Sequence, residues 1–185
     1  GFLKEKGSKF YTHAFPVKDE EEISKRLSEL QDKYSDARHH CYAWSLGTKG
    51  DQFRMNDAGE PSGTAGKPIY GQIQSYGLTN VLIVVVRYFG GTKLGTGGLI
   101  QAYKEACRIA LDKAEIVSRY VEDTLTVTCS YEQISIINRL AERDGIRILE
   151  QDFTETVSTQ LAVRESMKAN VLEHLKNVQI DGVEE

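Results

Sequence analysis

Residues 81–89 (VLIVVVRYF) constrain this chain more than any other stretch. A continuous run of β-branched and aliphatic side chains offers water no polar face, so it reads as a strand covered on both sides. Five glycines follow within residues 90–98. Then Leu99, Tyr103, Ala106, Cys107, Ala110 and Leu111 recur at helical spacing and predict a helix over 99–114. The chain must therefore build a sheet with helices on its faces. With 185 residues it has room for one large or two small domains. Its longest apolar run, 81–86, falls far short of the ~18–20 residues a membrane helix needs. At 40% apolar and 27% charged residues, the composition excludes collagen, coiled coil and wholesale disorder.

The remaining pattern completes an α+β reading. Strands are expected at 10–17 and 41–46, and a helix at 19–34 whose first turn is acidic. Residues 47–68 form a long polar, glycine-rich stretch with a short strand near 52–55; a loop of this length is usually functional or mobile. A short helix is expected at 69–76. After Ala114 the pattern changes. Strands at 125–129, 146–149 and 157–163 alternate with helices at 134–141 and 166–176. This β-α-β-β-α order matches a ferredoxin-like split βαβ, with residues 178–185 as a weak last strand. The boundary falls near 115–120, giving domains over 1–116 and 117–185.

Charge is distributed unevenly between these parts. Residues 1–118 carry 16 Lys and Arg against 14 Asp and Glu, a net +2; residues 119–185 carry 7 against 13, a net −6. The second part is a poor holder of a phosphate backbone. Cys41, Cys107 and Cys129 are odd in number and show no CxxC spacing. They argue against a disulfide framework or a cysteine zinc site and favour a reducing, cytoplasmic location. The chain opens on Gly1 rather than Met, which leaves a preceding segment open.

Three places carry candidate chemistry. The first is RYFGGTKLGTGGLIQAYKEA, with Arg87, Gly90, Gly91, Lys93, Gly95, Gly97 and Gly98. Glycines admit positive φ and let a ligand approach bare N–H groups, while a helix N-terminus and Lys93 add positive charge. Neither GxxxxGK[ST] nor GxGxxG is present, so Walker and Rossmann loops are excluded. The turn is either an anion cradle or a packing joint. The second is His39 with Asp57, Glu60 and Thr64. Imidazole and carboxylates near a loop suit a metal or acid–base site, a polar ligand-binding role, or the ordering of the loop. His39 and His40 point to opposite faces of a strand, so one of them at most joins a site. Cys41 reads as a buried apolar residue. No G-x-S-x-G elbow supports Ser62 or Thr64 as a nucleophile. The third is KGSKF, where Lys6 and Lys9 flank a turn beside Phe10. Cations next to an aromatic suit nucleic acid, and lysines equally protect an edge strand from aggregation.

The stretch VVVRYFGGTKLGTGGLIQAYKEA closely resembles the signature of the IMPACT/YigZ family. KGSKF, ARHHCYAW and NDAGEPSGTAGKPI fit that resemblance in the same order and span the first domain; the second domain matches only in position and pattern. The resemblance implies a first domain like the second domain of ribosomal protein S5, a left-handed β-α-β fold. It implies a ferredoxin-like second domain, the pair resembling domains IV and V of elongation factor G. His39 sits where the family motif has its histidine. Eukaryotic relatives are implied to regulate translation through a protein partner and an extra N-terminal domain. Here KGSKF begins at Lys6, so that partner is not carried over. No catalysis is established for bacterial-type members.

Three functions compete. The first is a non-enzymatic binder of RNA or the ribosome in translation control. The second is an enzyme acting on a phosphorylated small molecule or nucleotide at the glycine turn. The third is a protein–protein adaptor. Neither metal, cofactor nor membrane is expected as a partner.

Overall fold

The computed structural model describes residues 1–184, and the chain divides into two compact units, Gly1–Ile116 and Val117–Glu185. In the first unit the order is β1 (Phe2–Glu5), β2 (Ser8–Pro16), α1 (Glu20–Lys33), β3 (His39–Leu46), β4 (Gln52–Asn56), α2 (Gly66–Ser75), β5 (Val81–Tyr88) and α3 (Gly95–Leu111). The strands form one five-stranded sheet in the order β1-β2-β5-β3-β4, every pairing antiparallel.

The aliphatic run is β5 at the centre of this sheet, buried on both faces. Ile83 and Val85 point into a core shared with α2 and α3, where Phe10, Cys41, Ile69 and Tyr103 also pack. Leu82, Val84 and Val86 point the other way, against Ile23 and Leu30 of α1. Helix α1 starts where its acidic turn predicts. Asp19 is its N-cap, and the carboxylate accepts from Glu22 N at 2.8 Å.

Of the departures from the sequence expectation, which include the start of α2 at Gly66 rather than 69, two bear on the site. Strand β1 lies in the charged opening stretch and is held by its pairing with β2, not by its own pattern. Helix α3 begins at Gly95, four residues before the expected Leu99. Gly95, Gly97 and Gly98 therefore form the first helical turn instead of a loop ahead of it. Glycine is the poorest ordinary helix former, so propensity places this start too late.

The second unit runs β6 (Glu122–Cys129), α4 (Ile134–Ala141), β7 (Ile146–Phe153), β8 (Val157–Arg164), α5 (Glu165–Asn177) and β9 (Gly182–Glu184). Its sheet has the order β7-β8-β6-β9, again antiparallel throughout. Leu125, Val127, Ile137, Leu161 and Leu175 are the centre of its own core. Strand β9 pairs with β6 within the weakly patterned tail. The described residues thus form a mixed α/β chain of two antiparallel sheets and five helices. Among the described residues no helix is long and apolar enough to cross a membrane.

Candidate functional site

Arg87 is the last inward-pointing residue of β5, and its side chain is only 6% exposed. A guanidinium cannot shed its charge, so burial demands partners. Its Nη1 donates to Glu60 Oε1 at 2.6 Å, and its Nη2 donates to Ser8 Oγ at 3.2 Å. The guanidinium carbon also lies 5.5 Å from the Phe10 ring centroid and 5.7 Å from that of Phe89. Nε has no partner. Ser8 Oγ in turn accepts from Gly90 N at 3.3 Å, so one chain of hydrogen bonds runs from Glu60 through Arg87 to the glycine turn.

Glu60 has a second donor, the Tyr103 hydroxyl at 2.8 Å. The Cys41 thiol sits 3.0 Å from the Asp57 carbonyl and 3.2 Å from the Tyr103 hydroxyl, and can donate to either. Burial pushes the Cys41 thiol up to about 12, only partly offset by the Tyr103 contact. Burial likewise raises the Tyr103 phenol, with Cys41 and Glu60 adding to it. Both groups are neutral, internal members of the network. Cys41, Cys107 and Cys129 are all buried free thiols.

The loop between β4 and α2 is folded by one carboxylate. Asp57 Oδ1 accepts from Ala65 N at 2.9 Å and Gly66 N at 2.8 Å, and Oδ2 accepts from Gly63 N at 2.8 Å. Burial alone would raise this carboxyl; the three amides outweigh it and hold it below the usual aspartate range. Because it accepts from Ala65 and Gly66 N–H groups, Asp57 also anchors the start of α2, whose own N-cap residue is Ala65. Thr64 is 3% exposed, and its hydroxyl donates to the Pro61 carbonyl at 2.6 Å. His39 faces the same side of the sheet as Arg87, its register partner. Its Nδ1 donates to the Ala58 carbonyl at 3.0 Å. Gly59, at φ +85°, passes beneath the imidazole, where a Cβ would lie 3.5 Å from the ring.

The glycines of the turn divide by what surrounds them. A Cβ on Gly90 would stand 1.8 Å from the Gly7 carbonyl carbon, so Gly90 and the KGSKF turn meet backbone to backbone. A Cβ on Gly98 would stand 3.3 Å from the Leu94 Cβ. Around Gly91, Gly95 and Gly97 nothing lies within 4 Å of the Cβ position. Helix α3 begins there with no side-chain cap, so its first N–H groups are unpaired by side chains. Lys93 is exposed beside them.

The structure thus brings His39, Asp57, Glu60, Thr64, Arg87 and Gly90 into one connected region, with Gly91, Lys93, Gly95, Gly97 and Gly98 forming the exposed turn beyond it. Lys6 stands exposed in the β1–β2 turn, at φ 45°. Lys9 does not join the Arg87 network, because strand alternation turns it to the opposite face from Ser8 and Phe10. Sequence reasoning missed Ser8 and Tyr103. The hydroxyl of Tyr103 was the available signal, since a buried tyrosine in an apolar stripe needs a polar partner. Among the described residues no group of three or more His, Cys, Asp or Glu is placed to hold a metal ion.

Comparison with known proteins places these features in context. Residues 6–111 match the Impact N-terminal domain model, and residues 127–178 match a domain of unknown function, DUF1949. An IMPACT family member of Haemophilus influenzae is 33% identical over 162 residues, 86% of this chain and 79% of that protein. The IMPACT family member YigZ of Escherichia coli is 34% identical over 160 residues, covering 85% and 78%. A crystal structure of a hypothetical protein covers 100% of this chain and 90% of its own, at 31% identity and a TM-score of 0.68.

Proposed function

The chain belongs to the IMPACT family, and from that premise we propose that it is a non-catalytic binding protein of the translation machinery, contacting RNA or the ribosome through the 90–98 turn. One observation carries this reading. The carboxylates that an acid–base mechanism would use are engaged internally, Asp57 by three amides and Glu60 by Arg87 and Tyr103. What faces solvent is bare backbone at Gly91, Gly95 and Gly97, with Lys93 beside it. Unpaired amides at a helix start and a lysine attract phosphate oxygens.

The finer fold reading belongs with this proposal. The β7-β8-β6-β9 order supports a ferredoxin-like second domain. The resemblance supports an S5-like first domain, and with it an elongation-factor-like pair suited to ribosomal RNA. A net charge of −4 limits any RNA contact to a local patch, as a turn of this kind would be.

Co-sedimentation with ribosomes tests the reading. Gly97→Val fills space that is empty in the folded protein, so it blocks a ligand without a clash. The wild type is expected to pellet with ribosomes or ribosomal RNA, and Gly97→Val to remain in the supernatant. Equal pelleting of both, or of neither, contradicts the proposal. A small phosphorylated ligand that protects wild type but not Gly97→Val from thermal unfolding, with no ribosome binding, would favour the enzyme instead.

A further inference from the structure

The opposite face of the same sheet carries a groove that the 90–98 turn does not account for. It has a volume of about 350 Å³ and is lined by Gly7, Lys9, Tyr11, Tyr34, Tyr88 and Phe89. That volume lies within the roughly 300–1,000 Å³ of ligand clefts. Tyr34, the C-cap of α1, stacks on Tyr11 with centroids 5.7 Å apart, and Tyr88 meets Tyr11 edge-on at 6.0 Å. Asp36 accepts from the Tyr88 hydroxyl at 2.6 Å and fixes that ring. Phe89 is 57% exposed, so its ring is accessible to a ligand.

The rim is cationic. Lys9 stands opposite Lys4 across the β1–β2 ladder and opposite Tyr88 across the β2–β5 ladder. Lys6 lies in the turn between the first two strands. No carboxylate among the described residues pairs with Lys4, Lys6 or Lys9. Alternation sends Glu5 to the other face from Lys4. Aromatic faces flanked by unpaired cations are the chemistry of unstacked bases on a charged backbone.

We propose that this groove binds single-stranded RNA, with a base stacking on Phe89 and Tyr88 and the adjoining phosphates on Lys9 and Lys4. This rests on the RNA reading of the 90–98 turn, which the groove adjoins: Phe89 immediately precedes Gly90, and Gly7 packs against Gly90. A strand leaving the groove past Phe89 reaches the exposed amides of the turn.

Fluorescence anisotropy of a labelled oligouridylate of about a dozen nucleotides, in the ~4–16 range of single-strand sites, tests this on the full chain. Phe89→Ala is expected to weaken binding roughly 5- to 150-fold, the equivalent of ~1–3 kcal/mol per stacked base. Its salt slope should be unchanged, and Phe89→Trp should bind as wild type does. Lys9→Ala should flatten the slope by about 0.7, one phosphate on a single strand. Circular dichroism melts establish that each variant is folded. If the wild type binds, Lys93→Ala weakens it and Phe89→Ala does not, the groove proposal falls and the turn reading stands. If the wild type binds no RNA, both fall. A wild-type dimer in analytical ultracentrifugation that Phe89→Ala dissolves would assign the groove to a second copy and overturn the proposal.

Discussion

Arg87 and Glu60 show how a single pair can organise a site without doing chemistry in it. Both side chains are almost fully buried, at 6% and 4% exposure. Removing one partner leaves the other charged and unpaired in the core. Arg87→Met is therefore expected to cost about 3–5 kcal/mol in urea unfolding; a loss under about 1 kcal/mol would show that water reaches the pair. Gly97 behaves in the opposite way. It lies inside α3 with empty space where a Cβ would go, so no fold requirement accounts for it. Gly97→Ala should stabilise the helix by up to ~1 kcal/mol while weakening ligand binding. A lower melting temperature would mean the glycine is needed for the fold. The sequence left the cradle and the packing joint as alternatives for the whole turn. Contacts and backbone separate them residue by residue: Gly90 is a joint, Gly91 and Gly95 are exposed but hold positive φ, +87° and +70°, and Gly97 is open with an ordinary helical backbone. That division depends on Gly7, which lies 83 residues from Gly90 in the chain. No local pattern reveals such a contact.

At the scale of elements, an unbroken aliphatic run located β5, and periodicity located α1, β6 and α4 because each buries a repeating stripe. It failed at β1 and at the start of α3, where a neighbouring strand or the rest of a helix imposes the conformation. The site was legible to a similar depth. His39, Asp57, Glu60 and Arg87 stood out by chemical type, while their pairing needed the sheet register and the folded loop. The α1 face also carries a pH dependence. Burial lowers His13, with Lys33 and the N-terminus adding to it. Burial also lowers His40, only partly offset by the Tyr34 and Leu30 backbone carbonyls. Both folded-state values lie below the ordinary 6.5, so the unfolded chain binds protons first. Stability is then fully present above about pH 6.5 and declines as pH falls through the lowered values. Thermal melts between about pH 7.5 and 5 should show this decline, and the double variant His13→Gln, His40→Gln should reduce it. An unchanged slope would place the dependence elsewhere.

At the scale of the whole molecule, the two units have separate cores, and the second contains all four strands of its own sheet. Residues 117–185 expressed alone should therefore fold, giving mixed α/β circular dichroism and a cooperative melt. A disordered spectrum would show that this unit depends on the first. The charge division, +2 against −6, favours the first unit over the second for the proposed anion contact. The central claim is that the 90–98 turn holds the phosphate backbone of RNA. The most direct test is the salt dependence of RNA binding by wild type and Lys93→Ala, measured as log K against log salt concentration. Lys93→Ala leaves the backbone path of the turn intact and removes one exposed charge. It should weaken binding and reduce the magnitude of the slope by about 0.7–0.9, one phosphate contact. Superimposable wild-type and variant lines would contradict the account and make the turn a structural joint alone.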